Sequence, residues 1–236
     1  MPIKAVEPQR LYRRIAEQIA RLIRRGEYKP GARLPPERDL ARLLEVSRPS
    51  VREALIALEV EGYVEVRVGS GVYVTHQRPA ARGVDPLPAD SGPFELIAAR
   101  RLLESECAAL AARQASSAQV RRMKAALTAM ERDRRRAVMP LDNDRRFHLE
   151  IAEGSGNSAL ALAVRTLWDQ RTGPLFLRLE RHFDTPDLWE AAIAEHNAVM
   201  SAIESHDAGA ARAAMRRHMD AAARRFQRSW SASAPR

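Results

Sequence analysis

Cysteine is almost missing from this chain. Cys107 is the only one, so no internal disulfide can form, and a reducing compartment such as the cytoplasm is the expected setting. Cys107 lies among apolar neighbours in a helical pattern, the position of a small core residue. No apolar run approaches the roughly 20 residues of a membrane helix, and the N-terminus has no apolar stretch of secretory-signal length. No repeat of solenoid length is present. The HExxH pattern and the nucleophile elbow are also missing, and no general base stands out, so an enzyme is not expected.

The chain does have enough apolar material to fold. Its 236 residues suit two domains, and 45% hydrophobic residues argue against global disorder. The net charge of +9 and pI near 10.6 suit a polyanionic partner. That signal is weak, because the excess is shared: 15 Lys+Arg against 10 Asp+Glu through residue 78, then 24 against 20.

The local patterns are more specific. Leu11, Ile15, Ile19, Leu22 and Ile23 recur at helical spacing, and Gly26 closes that helix. Pro35-Pro36 opens a second helix with Leu40, Leu43 and Leu44 on its apolar face. Ser47 caps a third, with Pro49 tolerated in the first turn and Val51, Leu55 and Leu58 facing inward. From Val64 the period changes to two, and Gly69-Ser70-Gly71 turns the chain back into Val72-Tyr73-Val74. Three helices and a hairpin predict a winged helix-turn-helix over residues 1–76. Residues 77–92, rich in proline, read as a linker. Residues 93–230 carry only helical periodicity and predict an all-α bundle, with residues 231–236 as a tail. The predicted fold class is mainly α.

A winged helix-turn-helix has one common use, which is to seat its third helix in the major groove of DNA. Arg48 and Arg52 lie four apart in the first turns of that helix, and arginine there can pair with guanine O6 and N7. Ser47 at the helix start suits a phosphate contact, Arg38 would reach the same surface, and Gly69 and Ser70 at the wing tip allow close approach. Any one of these arginines alone reads more simply as a solvated surface charge; together, at one helix end with a wing behind, they point to DNA. With these residues in view, Leu34-Pro-Pro-Glu-Arg38, Val46-Ser-Arg-Pro-Ser-Val-Arg-Glu-Ala-Leu55 and the Gly69-x-Gly71 wing resemble the GntR family of bacterial regulators. The resemblance implies DNA contacts at Arg38, Ser47, Arg48, Arg52, Gly69 and Ser70, and a homodimer on an inverted repeat.

In the helical half, Asp144 and His148 are spaced i, i+4, while His196 and His218 sit on the apolar faces of their own helices. Taken singly, each histidine reads more simply as a core imidazole. Together, three histidines and an aspartate could form a three-nitrogen, one-oxygen metal site. Asp144-Arg-Arg-Phe147-His148, Glu195-His196 and Met215-Arg-Arg-His218 resemble the C-terminal effector domain of the FadR branch of that family. The resemblance implies that Asp144, His148, His196 and His218 hold a divalent metal in a cavity that also takes a small carboxylate. Zinc, nickel and manganese all suit such a set. Arg100 and Arg171 are candidates for pairing the carboxylate, although Arg100 reads equally as a surface ion-pair partner.

Within that branch, Leu58-Glu-Val-Glu-Gly-Tyr-Val-Glu-Val-Arg67, Gly92-Pro-Phe-Glu-Leu96 with Arg100 and Glu104, Asn157-Ser-Ala-Leu160 and Trp168-Asp-Gln-Arg171 are similar to the hexuronate-utilisation repressors. The expected function is a repressor of sugar-acid catabolism genes, released by a small carboxylate. The alternatives are a metal-sensing regulator, or a regulator answering to another organic acid.

Overall fold

The computed structural model describes residues 11–67, 70–75, 92–172, 176 and 186–231, with the side chains of 172, 186 and 226–231 outside the description. The described residues fall into two units, the first made of those up to Pro93 together with Phe176 and residues 229–231, the second of residues 94–172 and 186–228.

In the first unit, helix α1 spans Leu11–Arg24 and buries Tyr12, Ile15, Ala16, Ile19 and Ala20. The buried stripe is rotated from the expected one. Leu11 is exposed, and Leu22 and Ile23 are only half-buried, because Tyr12 and the two alanines take the inner face. Gly26 ends the helix at φ 79°, a backbone state that L side chains rarely adopt. Helix α2 spans Glu37–Leu43 and buries Leu40 and Ala41, while Leu43 is 69% exposed, contrary to its expected inward position.

Helix α3 spans Arg48–Val60. Ser47 caps it by accepting the Ser50 amide at 3.3 Å, and Pro49 stands where the helix needs no donor. Its residues Val51 to Leu58 are buried almost all round, so α3 is the core of the unit. Strands β1 (Val64–Arg67) and β2 (Gly71–Val74) pair antiparallel with Val64 opposite Val74. Two further contacts fix this wing. Glu59 of α3 accepts the Val66 amide at 3.1 Å, and the segment before α2 pairs with β2 through Leu34 N to Val72 O at 2.8 Å. No alternation marks residues 31–34 as strand-like, so only the folded chain reveals that pairing.

Among its described residues the second unit contains only helices and the turns that join them. It comprises α4 (Pro93–Gln114), α5 (Ser117–Arg135), α6 (Leu141–Gly154), α7 (Ser158–Asp169) with a 3-10 turn at Gln170–Thr172, α8 (Pro186–Glu204) and α9 (Ala208–Ser231). Ser116 and Gln119 form a capping box on α5, and Asn157 caps α7 by accepting the amides of Ala159 and Leu160. The core mixes alanines of α4 with Met123, Met130, Phe147, Ile151, Ile193, Met200, Ile203 and Met215. Cys107 is fully buried there and its thiol is pushed up to about 11 by burial, which leaves it a packing residue. No described helix is long and apolar enough to cross a membrane.

Candidate functional site

The residues expected to meet DNA lie where the capped start of α3 meets α2. Arg38 projects from α2 with its side chain 82% exposed, beside Asp39 at 3.5 Å. Arg48, in the first turn of α3, is 54% exposed and donates from Nε to Glu37 Oε1 at 3.0 Å. Ser47 lies at the surface with its hydroxyl 2.8 Å from that of Ser50. At the wing, the Ser70 hydroxyl is 2.7 Å from the Tyr73 hydroxyl, and the Arg67 guanidinium stacks over the Tyr73 ring at 4.6 Å. Arg67 was not among the expected contacts, although its alternation with Val66 already marked it as outward-facing. Gly69 lies outside the described residues.

Arg52 corrects the sequence reading. It shares a helical face with Arg48, but α2 packs over that face and the Arg52 side chain is only 2% exposed. Its Nε donates to Glu37 Oε2 at 2.9 Å and its Nη2 to Glu37 Oε1 at 2.8 Å. Burial lowers its pKa, and the Glu37 carboxylate opposes that shift. Spacing puts Arg52 on the same face of α3 as Arg48 but does not show the neighbour that covers its second turn.

In the second unit, three imidazoles converge from three helices. His148 Nε2 and His196 Nε2 are 3.1 Å apart, as are His196 Nε2 and His218 Nε2. Asp144 Oδ1 is 3.2 Å from His196 Nε2 and 3.5 Å from His148 Nε2. All four residues are buried. The three imidazoles offer ligand atoms that all lie within 4.8 Å of one another, a set that could hold one cation, and Asp144 Oδ1 stands beside two of them.

The next layer of contacts also fits a metal. Imidazole binds a metal through a bare nitrogen, which requires the other nitrogen to hold the proton. His148 Nδ1 is hydrogen-bonded to Glu104 Oε2, and His218 Nδ1 donates to Glu195 Oε2 at 2.9 Å, so both rings turn Nε2 inward. Glu104 is held in turn by Arg100 Nε at 2.6 Å and Trp168 Nε1 at 3.1 Å, and Glu195 by both Nη atoms of Arg225. His196 Nδ1 is a buried nitrogen with no hydrogen-bond partner among the described residues.

The charge states follow from these contacts. Burial and the neighbouring His218 push the His196 pKa well down, and burial lowers that of His218, so both favour the neutral, ligating form. Burial would also lower His148, but Glu104 and Asp144 outweigh it and the net shift is upward. The negative field that holds that proton equally favours a divalent cation. Burial would raise Asp144, yet His148, His196 and Arg171 hold it well below the usual range.

Both candidate arginines reach this cluster. Arg100 is buried rather than at the surface and its guanidinium lies 3.8 Å from the centre of the Trp168 ring. Arg171 stacks on the same ring at 4.3 Å and donates from Nη1 to Asp144 Oδ2 at 3.2 Å. Glu104, Trp168, Glu195 and Arg225 carry no role in the sequence reading. The i, i+4 spacing of Arg100 and Glu104, and the position of Glu195 beside His196, are the signals that could have found two of them.

A winged helix-turn-helix followed in the chain by a second, helical unit is the architecture of a transcriptional regulator. The comparisons make that specific. Residues 11–74 match the bacterial regulatory proteins of the gntR family, and residues 95–221 match the FCD domain. The Uxu operon transcriptional regulator of Escherichia coli K12 is 39% identical over 222 residues, covering 92% of this chain and 86% of that protein. The Exu regulon transcriptional regulator of the same organism is 38% identical over 228 residues, covering 92% and 85%. Among solved structures, E. coli McbR/YncC shares the fold with a TM-score of 0.51 at 22% identity, covering 93% of this chain and 98% of that one. The chain belongs to the GntR family of bacterial transcriptional regulators and carries the FCD domain; it is a DNA-binding regulator, not an enzyme.

Proposed function

We propose that this regulator is a homodimeric repressor of sugar-acid (hexuronate) catabolism genes, held on an inverted-repeat operator and released by a small carboxylate effector. In this reading the reading head is residues 1–76, the linker 77–92 and the effector and dimerisation domain 93–230. Arg38, Ser47, Arg48 and the Gly69–Ser70 wing tip contact DNA, with Arg52 acting from behind Arg48. A divalent ion (zinc, nickel or manganese) is held by Asp144, His148, His196 and His218, and supplies a Lewis-acidic anchor for the effector carboxylate. Arg100 and Arg171 complete the anion site. The reading sets the protein in the cytoplasm.

The observation that carries this reading is the convergence of three inward Nε2 atoms and one carboxylate oxygen beside two guanidinium groups on one indole ring. The two relatives named for the uxu operon and exu regulon support the effector class. A hundredfold loss of DNA affinity on effector binding needs about 2.7 kcal/mol of coupling. Gel-shift titration of operator complexes with galacturonate, glucuronate and lactate tests it. Release by a hexuronate is the expected result, and release by lactate alone removes the hexuronate assignment.

One observation favours a second reading. Both guanidinium groups already have carboxylate partners, Glu104 and Asp144, so an incoming organic anion must compete with them. In that case the metal itself is the signal. DNA affinity measured before and after chelation, with no organic acid present, separates the two.

A further inference from the structure

We infer that Glu37 sets the sequence selectivity of the reading head, by neutralising and orienting Arg48 and Arg52 together on one carboxylate. The inference rests on the reading of α3 as the DNA-facing helix. Glu37 is in the first turn of α2, and its side chain is 8% exposed. Its Oε1 accepts from both Arg48 Nε and Arg52 Nη2, and its Oε2 accepts from Arg52 Nε. A single carboxylate thus serves two guanidinium groups one helical turn apart on a neighbouring element.

This sharing acts differently on the two kinds of DNA contact. Binding to random DNA is electrostatic and grows with the positive charge that phosphates can draw on. Two arginines and one glutamate present one net positive charge instead of two, so contact with random DNA is weakened. Base readout depends on orientation. The bond from Arg48 to Glu37 uses Nε and does not engage the terminal Nη1/Nη2 edge that pairs with guanine O6 and N7. Arg48 can therefore stay braced by Glu37 while that edge meets a base. The brace costs affinity for phosphate and keeps affinity for the correct sequence, and the ratio of the two is selectivity.

The test is Glu37→Gln in the full chain. Its affinity is measured across a salt series for a random-sequence duplex and for a duplex selected from a random pool by the native chain. Affinity for the random duplex is expected to rise about tenfold near 0.1 M salt, and the slope of log K against log salt to steepen by about one unit. Affinity for the selected duplex does not rise in step, so selectivity falls about tenfold. A parallel fall in both affinities with an unchanged slope marks Glu37 as merely structural and overturns the inference. Arg48→Ala runs beside it. If that variant keeps full affinity for the selected duplex, the reading of α3 itself fails. If it loses affinity while Glu37→Gln changes neither ratio nor slope, only the role of Glu37 fails. Arg52 is buried, so Glu37→Gln can unfold the head. A measurement on the native chain covers that case: the Arg48 Nε–H NMR signal, protected by its bond to Glu37, is expected to persist in the complex with the selected duplex. Its loss there overturns the inference.

Discussion

Two buried arginine–glutamate arrangements, one in each unit, use the same chemistry at different depths. In the reading unit, Glu37 holds Arg52 inside and Arg48 at the surface. In the helical unit, Glu104 holds Arg100 and His148, and all three are enclosed. Near the surface the carboxylate can tune how much charge a nearby polyanion meets, because water and counter-ions remain available to what it releases. In the interior it has no such freedom. An enclosed carboxylate must be matched donor by donor, and its effect is to fix which nitrogen of His148 faces inward.

The largest expected effect tests the deeper arrangement. Glu104→Gln leaves the Arg100 guanidinium buried without its counter-charge, and breaking such a pair costs about 3–5 kcal/mol. Thermal unfolding at neutral pH checks it; a change of less than about 1 kcal/mol would mean that Arg100 finds another partner. The acid limb of the same measurement sharpens it. Burial would raise the Glu104 pKa, but Arg100 and His148 bring it down to about 2 from an ordinary 4.5. A folded-state pKa held below the unfolded value adds stability above pH 4.5 that is lost as pH falls toward 2, worth about 3 kcal/mol. Native protein should lose that increment across this window, and Glu104→Gln should not.

The next effect separates orientation from folding in the same cluster. Glu195 braces His218 from the far side and is partly exposed, so Glu195→Gln should leave the fold intact. It should weaken divalent-metal affinity about 10–100-fold, as read by competition with a chelator. Unchanged affinity would show that Glu195 serves Arg225 rather than the cluster.

In the reading unit the effects are smaller. Arg48→Ala should cost about 1–3 kcal/mol of affinity for the selected duplex, and Arg38→Ala should weaken selected and random duplexes alike. Equal losses for both variants on both duplexes would erase the distinction between base and phosphate contacts. Ser47→Ala removes the α3 cap and should lower stability by about 1 kcal/mol, measured by denaturant unfolding.

Much of this was legible residue by residue. The cap at Ser47, the helix closed at Gly26 and the hairpin beginning at Val64 are set by neighbours in sequence. The pairing of residues 31–34 with β2 was not legible, because a short segment on a sheet edge needs no alternation of its own. The exposed Leu43 and buried Arg52 were misjudged for a related reason: periodicity selects a face, and packing decides what covers it.

By itself, the sequence determined the winged head, the end of its first helix at Gly26 and the helical character of the second unit, since these follow from bonds and spacings a few residues long. Only the tertiary structure decided that Nε2 atoms from three helices meet Asp144 Oδ1, that Glu104 and Glu195 turn two of those rings, and that Glu37 takes both arginines of α3. Those contacts join residues distant in the chain, and the register between helices is set by close packing of their buried faces rather than by any local preference.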